Sequence, residues 1–317
     1  MMRLLAEFYT TPSAVDPAVH AQMQVLLERW ASGMRLSSEQ ISAAVGNAPQ
    51  AAAERREQVR ASGGGGVAIL PVYGVLTHRA YAANSVSTPM TSTETLAAAV
   101  RSAVNNPDVG ALVLDIDSPG GSVFGVQELG DTIYKLRNVK PIVAVANAQA
   151  ASGAYWVASQ ATEIVVTPSG AVGSLGAFMA HTDNSAKYAA DGVKKTYVYA
   201  GKYKVEGNDA GPLEGEGLVH AQSMVDSFYS AFVRSVARGR DVSVDAARGP
   251  NFGEGRMVLA RQAVAHGMAD RIAPLDDVVA GLLAKKPARP AAKALNATDA
   301  NRRIAMLRAS APSVDGV

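Results

Sequence analysis

Cysteine is absent from the 317 residues of this chain. Its absence excludes disulfides, thiolate metal sites and a cysteine nucleophile, and it fits an intracellular setting. Aromatic residues make up only 6% of the chain, and there are just five histidines, so the usual partner of a serine nucleophile is scarce. An excess of one charge is missing too. Lys and Arg number 30 against 28 Asp and Glu, and the net charge of +2 is too weak to argue for a nucleic-acid partner. Long apolar runs are also lacking. The longest uncharged stretch, residues 141–162, is interrupted by Asn147, Gln149, Ser152, Gly153 and Gln160. Residues 1–9 carry Arg3 and Glu7 and no apolar core of signal-peptide length. The expectation is a soluble, cytoplasmic protein with no membrane partner. What the chain does have is 29 glycines in a 48% hydrophobic composition, which points to a tightly turned α/β protein.

The order of patterns along the chain divides it into four stretches. Residues 1–50 read as a small helical extension. Within it Val19, Met23, Leu26, Leu27 and Trp30 fall at helical spacing, and Ser37-Ser38-Glu39-Gln40 opens a second helix with capping chemistry. Residues 51–66, rich in Ala, Arg and Glu and ending in four glycines, read as a flexible linker. From residue 67 to 284 the pattern alternates. Strands are expected at 67–75, 111–116, 141–145, 163–166 and 195–199, and helices at 92–104, 123–136, 154–161, 185–191 and 217–238. A last helix and strand fall within 256–272. Strands alternating with helices at this spacing predict a largely parallel sheet with both faces covered. Residues 285–317 read as a polar tail, with a short helix at 300–307.

Two stretches carry chemistry. Ser152 stands between an apolar β-type run at 141–145 and a helical run beginning at Ala154, flanked by Ala150, Ala151, Gly153 and Ala154. A strand-to-helix turn of this kind lifts a hydroxyl out of the sheet, and small neighbours let a substrate backbone approach. Upstream, Asp117-Ser118-Pro119-Gly120-Gly121 follows another buried-strand run, where bare backbone N–H groups can face a developing oxyanion. A serine nucleophile also needs a base. His20, His220 and His266 fall in helices and read as packing or surface residues, and His78 follows the first strand, which leaves His181 as the histidine candidate. Lysine is the alternative. Lys202 and Lys204 close an extended run and share a face if it stays a strand, so alternation does not choose between them. From the residues alone the base is undecided.

Four motifs in order, Asp117-Ser118-Pro119-Gly120-Gly121, Ala151-Ser152-Gly153-Ala154-Tyr155, Gly173-Ser174-Leu175-Gly176 and Gly201-Lys202-Tyr203-Lys204, resemble the signal peptide peptidase A family of serine–lysine proteases, peptidase family S49. The resemblance covers residues 67–272. It implies an α/β, Clp protease/crotonase-like fold and a serine endopeptidase acting through an acyl-enzyme. By position it makes Ser152 the nucleophile, Lys204 the general base and Ser174 the residue that orients the lysine. The N–H groups of Gly121 or Gly120 and of Gly153 would then form the oxyanion hole. It calls for no metal or organic cofactor. It implies protein or peptide substrates and a homo-oligomeric ring in which neighbouring subunits share sites.

The helical start and short polar tail are further similar to phage capsid assembly proteases of the family. That similarity makes scaffold protein, major capsid protein and the chain itself expected substrates, and the host cytoplasm or prohead the expected location. The rival readings are a Clp-type Ser–His–Asp peptidase using His181, a cellular signal-peptide-peptidase-like enzyme, a crotonase-type acyl-CoA enzyme, and a non-catalytic head-assembly protein.

Overall fold

The computed structural model describes residues 11–31, 65–79 and 90–284. The expected helix at 37–40, most of the linker and the tail with its helix at 300–307 lie outside these residues. The described chain opens with strand β1 (Ser13–Val15) and helix α1 (Pro17–Ala31). Next come β2 (Gly66–Tyr73), β3 (Val75–Thr77), β4 (Met90–Ser92), α2 (Thr93–Asn105), β5 (Val109–Ser118) and β6 (Gly120–Ser122). The central part holds α3 (Val126–Leu136), β7 (Ile142–Ala151), α4 (Gly153–Ala158), β8 (Glu163–Val166), β9 (Ala171–Gly173) and α5 (Ser185–Ala190). The last part holds α6 (Gly215–Arg240), α7 (Val244–Arg248), β10 (Met257–Leu259), α8 (Ala260–Ala265), β11 (Arg271–Ile272) and α9 (Leu275–Ala284).

Seven strands form the main sheet in the order β10-β9-β7-β5-β2, with β8 also on β7 and β11 on β8. Every pairing in it is parallel except β9 with β10. The α/β architecture with a largely parallel sheet is therefore as expected. Its central strands are buried on both faces, which is why they read as nearly continuous apolar runs. Leu112, Leu114 and Ile116 face a core that includes Leu96, Ile133, Trp156 and Phe232, where the last two rings stack at 4.8 Å. Ala111 and Val113 point the other way, onto Leu275 and Val278 of α9. A smaller sheet, in the order β1-β6-β3-β4, crosses the end of the main one that carries the serine.

Three departures from the sequence reading bear on the site. The expected strand at 195–199 is irregular and exposed. The strand expected at 67–75 breaks at Gly74 (φ 66°) into β2 and β3. The helical extension begins with β1, which pairs with β6 and so ties residues 13–15 to the body. Among the described residues no helix is long and apolar enough to cross a membrane.

Candidate active site

β7 carries the serine, and the strand forks on its way there. Residues 143–146 of β7 pair with β8, and residues 149–151 pair with β9. Between the two halves the register against β5 shifts, with Ile116 opposite Ala146 and Ser118 opposite Ala150, and Ala148 takes φ 99°. This bulge steers the end of β7 away from β8, and the strand stops at Ala151. Ser152 follows at φ 51° and ψ −119° and opens α4. A side chain held in so sparsely populated a region costs about 1–3 kcal/mol and persists only where its surroundings fix it. Here its N–H donates to the Gly173 carbonyl (2.7 Å) and its carbonyl accepts the Trp156 N–H (3.0 Å). Ser152 is only 1% exposed, and its hydroxyl lies 3.5 Å from the Gly176 carbonyl oxygen, to which it donates.

The glycine pair is built into β6. Ser118 Oγ donates to the Gly74 carbonyl (2.6 Å) and accepts the Gly120 N–H (3.2 Å). That bond engages Gly120, so Gly121 is the member of the pair whose N–H is left to the ladder or a ligand. Gly121 sits opposite Leu76 of β3, and a Cβ there would fall 2.0 Å from the Leu76 carbonyl oxygen, so only glycine fits. Gly153 is the first residue of α4, and its N–H has no acceptor within the helix. It lies beside Gly120, because a Cβ on Gly120 would meet the Gly153 nitrogen at 2.9 Å.

Ser174 arrives by the neighbouring strand. β7 and β9 run parallel with Ala151 opposite Gly173, so Ser152 and Ser174 are the next residues at the same end of the sheet. Ser174 also has a positive φ (56°) and is buried, with its N–H on the Arg256 carbonyl (2.8 Å). The fold thus brings Ser152, Ser174, Gly120, Gly121 and Gly153 together.

None of the three candidate bases is hydrogen-bonded to Ser152 or Ser174 among the described residues. Lys204 lies in an exposed turn, where its N–H donates to the Gly201 carbonyl (3.0 Å), and among the described residues its side chain has no hydrogen bond or ion pair. The shared-face ambiguity of Lys202 and Lys204 disappears with the strand that created it. Lys202 pairs with Glu216 (2.7 Å) and lies over the Tyr203 ring. The Glu216 hydrogen bond, followed by that of Tyr203, raises its pKa, the wrong direction for a base at neutral pH. His181 is held at the Gly211 carbonyl (Nε2 to O, 2.9 Å).

Sequence reasoning missed β1, whose Ala14 lies against Gly153. Its only signal was Pro12 and Pro17 bracketing a short segment, since a residue before proline is biased to extended backbone.

Residues 134–288 match the profile described as Peptidase family S49. The chain is 34% identical over 214 residues to the head-tail preconnector protein GP5 of Enterobacteria phage P21, covering 68% of this chain and 42% of that protein. It is 32% identical to capsid assembly protease C of Escherichia phage lambda, covering 68% and 48%. It thus spans less than half the length of these two relatives. A solved chain of the 1510-N membrane-bound stomatin-specific protease aligns at a TM-score of 0.42 and 12% identity, covering 68% of this chain and 84% of that one.

Proposed function

This chain belongs to peptidase family S49 through residues 134–288, and on that premise we propose that it is a serine endopeptidase with Ser152 as nucleophile. The observation that carries the reading is the strained, buried Ser152 at the mouth of α4, beside the Gly153 N–H and the glycine strand β6. In the proposed reaction Lys204 Nζ takes the Ser152 proton while Oγ attacks the scissile carbonyl. The Gly121 and Gly153 N–H groups hold the oxyanion. Collapse breaks the C–N bond, the lysine returns its proton to the leaving amine, and water releases the acyl group by the same steps. Losing one oxyanion donor in such a site costs about 100- to 1,000-fold.

The lysine must come from elsewhere. Lys204 stands on an exposed stretch with Tyr197, Val198, Tyr199 and Tyr203, apolar surface that a neighbouring copy would cover. We therefore read the working site as shared, with Lys204 of one copy reaching Ser152 and Ser174 of the next in a ring. Two relatives are named for capsid assembly and for a head-tail preconnector. By that likeness the natural substrates are head-assembly proteins, scaffold and major capsid protein among them. A Ser–His–Asp arrangement fits less well, because His181 is tied to Gly211.

Ser152→Ala is expected to abolish peptidase activity in a folded chain, and Lys204→Ala to come close to it. Lys202→Ala should be milder by about ten-fold or more on the scale of proton-transfer effects. Mixing inactive Ser152→Ala with inactive Lys204→Ala should restore partial activity as copies exchange, measured on a fluorogenic peptide with alanine before the cut. Mixed variants that co-assemble and stay inactive would refute the shared site, and full activity in Ser152→Ala would refute the nucleophile.

A further inference from the structure

A short strand with both edges engaged lies beside the nucleophile. β1 adds antiparallel to β6, with Ala14 opposite Gly121 and Val15 opposite Gly120, and the Asp16 N–H donates to the Pro119 carbonyl at 3.1 Å. Antiparallel ladders bond alternate pairs, so that bond makes Ala14 and Gly121 the next bonded pair. On its other edge Ser13 exchanges both main-chain bonds with Phe178, at 2.8 and 3.1 Å. Phe178 lies on the segment that follows Ser174 and presents the Gly176 carbonyl to Ser152. β1 is thus gripped by the two elements that flank the serine.

The fit is closest at Ala14. Its carbonyl oxygen is 2.1 Å from the point a Cβ on Gly120 would take, and the Gly153 nitrogen is 2.9 Å from that same point. A Cβ on Gly153 would meet the Ala14 oxygen at 3.3 Å and the Ala14 methyl at 3.7 Å. The Ala14 carbonyl therefore lies among the glycines assigned to the oxyanion, with its small side chain buried against α4. A small pocket of about 30 Å³, partly open to solvent, lies beside β1, lined by Ser13, Val15, Val75, Thr77 and Ser122 among others.

Resting on the reading of Ser152 as nucleophile, we propose that β6 and residues 176–178 are the two walls of a groove for extended peptide, and that β1 is a tethered mimic of that peptide. Ala14 takes the place of the residue whose carbonyl is attacked. Recognition is by strand addition, in which main-chain bonds give affinity and the space beside alternate side chains gives selectivity. At Ala14 that space admits only a small side chain. Because the mimic is part of the chain, it competes at an effective concentration of roughly millimolar, and an incoming peptide must displace it.

The test uses the full chain and a synthetic peptide with the sequence of residues 10–18. Hydrogen exchange on Ser152→Ala protein, with that peptide at several times the effective concentration, should show Ser13 and Asp16 amides exchanging about ten-fold faster or more, while Gly121 and Ser122 keep their protection. Unchanged protection in β1, or equal loss in β1 and β6, overturns the proposal. Ala14→Asp puts a carboxylate where only a methyl fits, and should speed labelling of Ser152 by a fluorophosphonate about ten-fold as β1 leaves. An unchanged labelling rate in a folded variant also overturns it. Absence of labelling in both chains counts against the nucleophile alone, and the exchange result then decides the groove. That measurement leaves β1 unaltered, so it decides the matter even if Ala14→Asp does not fold.

Discussion

Ser152 sits where glycine would be the relaxed choice, at φ 51° and ψ −119°. If the hydroxyl is kept there for chemistry, removing it and removing the strain are separable. Ser152→Ala deletes an oxygen and keeps the Cβ in its unfavourable place, whereas Ser152→Gly also releases about 1 kcal/mol or more of backbone strain. Both variants should be inactive, with Ser152→Gly melting higher than Ser152→Ala in a calorimetric scan. Equal melting temperatures would mean that the surrounding bonds impose no strain on this turn. A second residue acts through buried hydrogen bonds. Gln160 is fully buried, its amide donating to the Ser235 carbonyl (2.8 Å) and its oxygen accepting from Arg238 Nη2 (2.7 Å). Gln160→Leu leaves a buried carbonyl without its donor, a loss of about 1–3 kcal/mol. Urea unfolding should show that loss with an unchanged slope, while peptide hydrolysis by the folded fraction stays intact.

At the scale of elements, the end of α6 is clasped to β8 through one carboxylate. Asp270 takes two bonds from Arg240 (2.7 and 3.0 Å) and the Ile164 N–H (2.7 Å). Partial burial pushes its pKa up, but the Arg240 and Ile164 bonds together outweigh that and hold it below the usual carboxylate value. A carboxylate depressed in the folded state contributes stability above its unfolded pKa of about 3.9, and that stability is lost as pH falls through the folded value. The melting temperature should therefore fall more steeply with acid in the native chain than in Asp270→Asn. Parallel melting curves for the two below pH 4 would remove Asp270 from the acid response.

The elements also show what a single sequence can tell. β5, β7 and β8 were readable because burial on both faces leaves an unbroken apolar run. The stretch at 195–199 has the same β-prone text, yet Val198 is 97% exposed and no described strand pairs with it, so β propensity alone did not make it a strand. β1 was unreadable because three residues have no period, and only its partner β6 makes it a strand. In the site, small residues around a serine marked the turn, but nothing in the local text separates a lysine base from a solvated one. α9 went unread although Pro274 precedes it, Asp276 and Asp277 stand in its first turn and Pro287 follows it, and its Leu275 and Val278 close one face of the sheet.

For the molecule as a whole, α6 divides in two. Its C-terminal half buries Phe232, Val233 and Val236 in the body, while Leu218 and Val219 near its start are exposed, close in sequence to the stretch that bears Lys204. The C-terminal half is thus packed against α3, α4 and α7, while the first turns leave apolar side chains on the surface. The separation of Lys204 from Ser152 then has a consequence for when the protein is active. If a complete site needs two copies, the number of complete sites follows mass action. Specific activity should rise with protein concentration and level off once assembly saturates, and dilution below the association midpoint should switch the enzyme off without unfolding it. Specific activity that stays constant over a hundred-fold dilution, across a range where light scattering shows dissociation, would exclude this. Such an enzyme would be quiet while newly made and dispersed, and would turn on where its copies are crowded together, so that confinement itself sets the time of cutting.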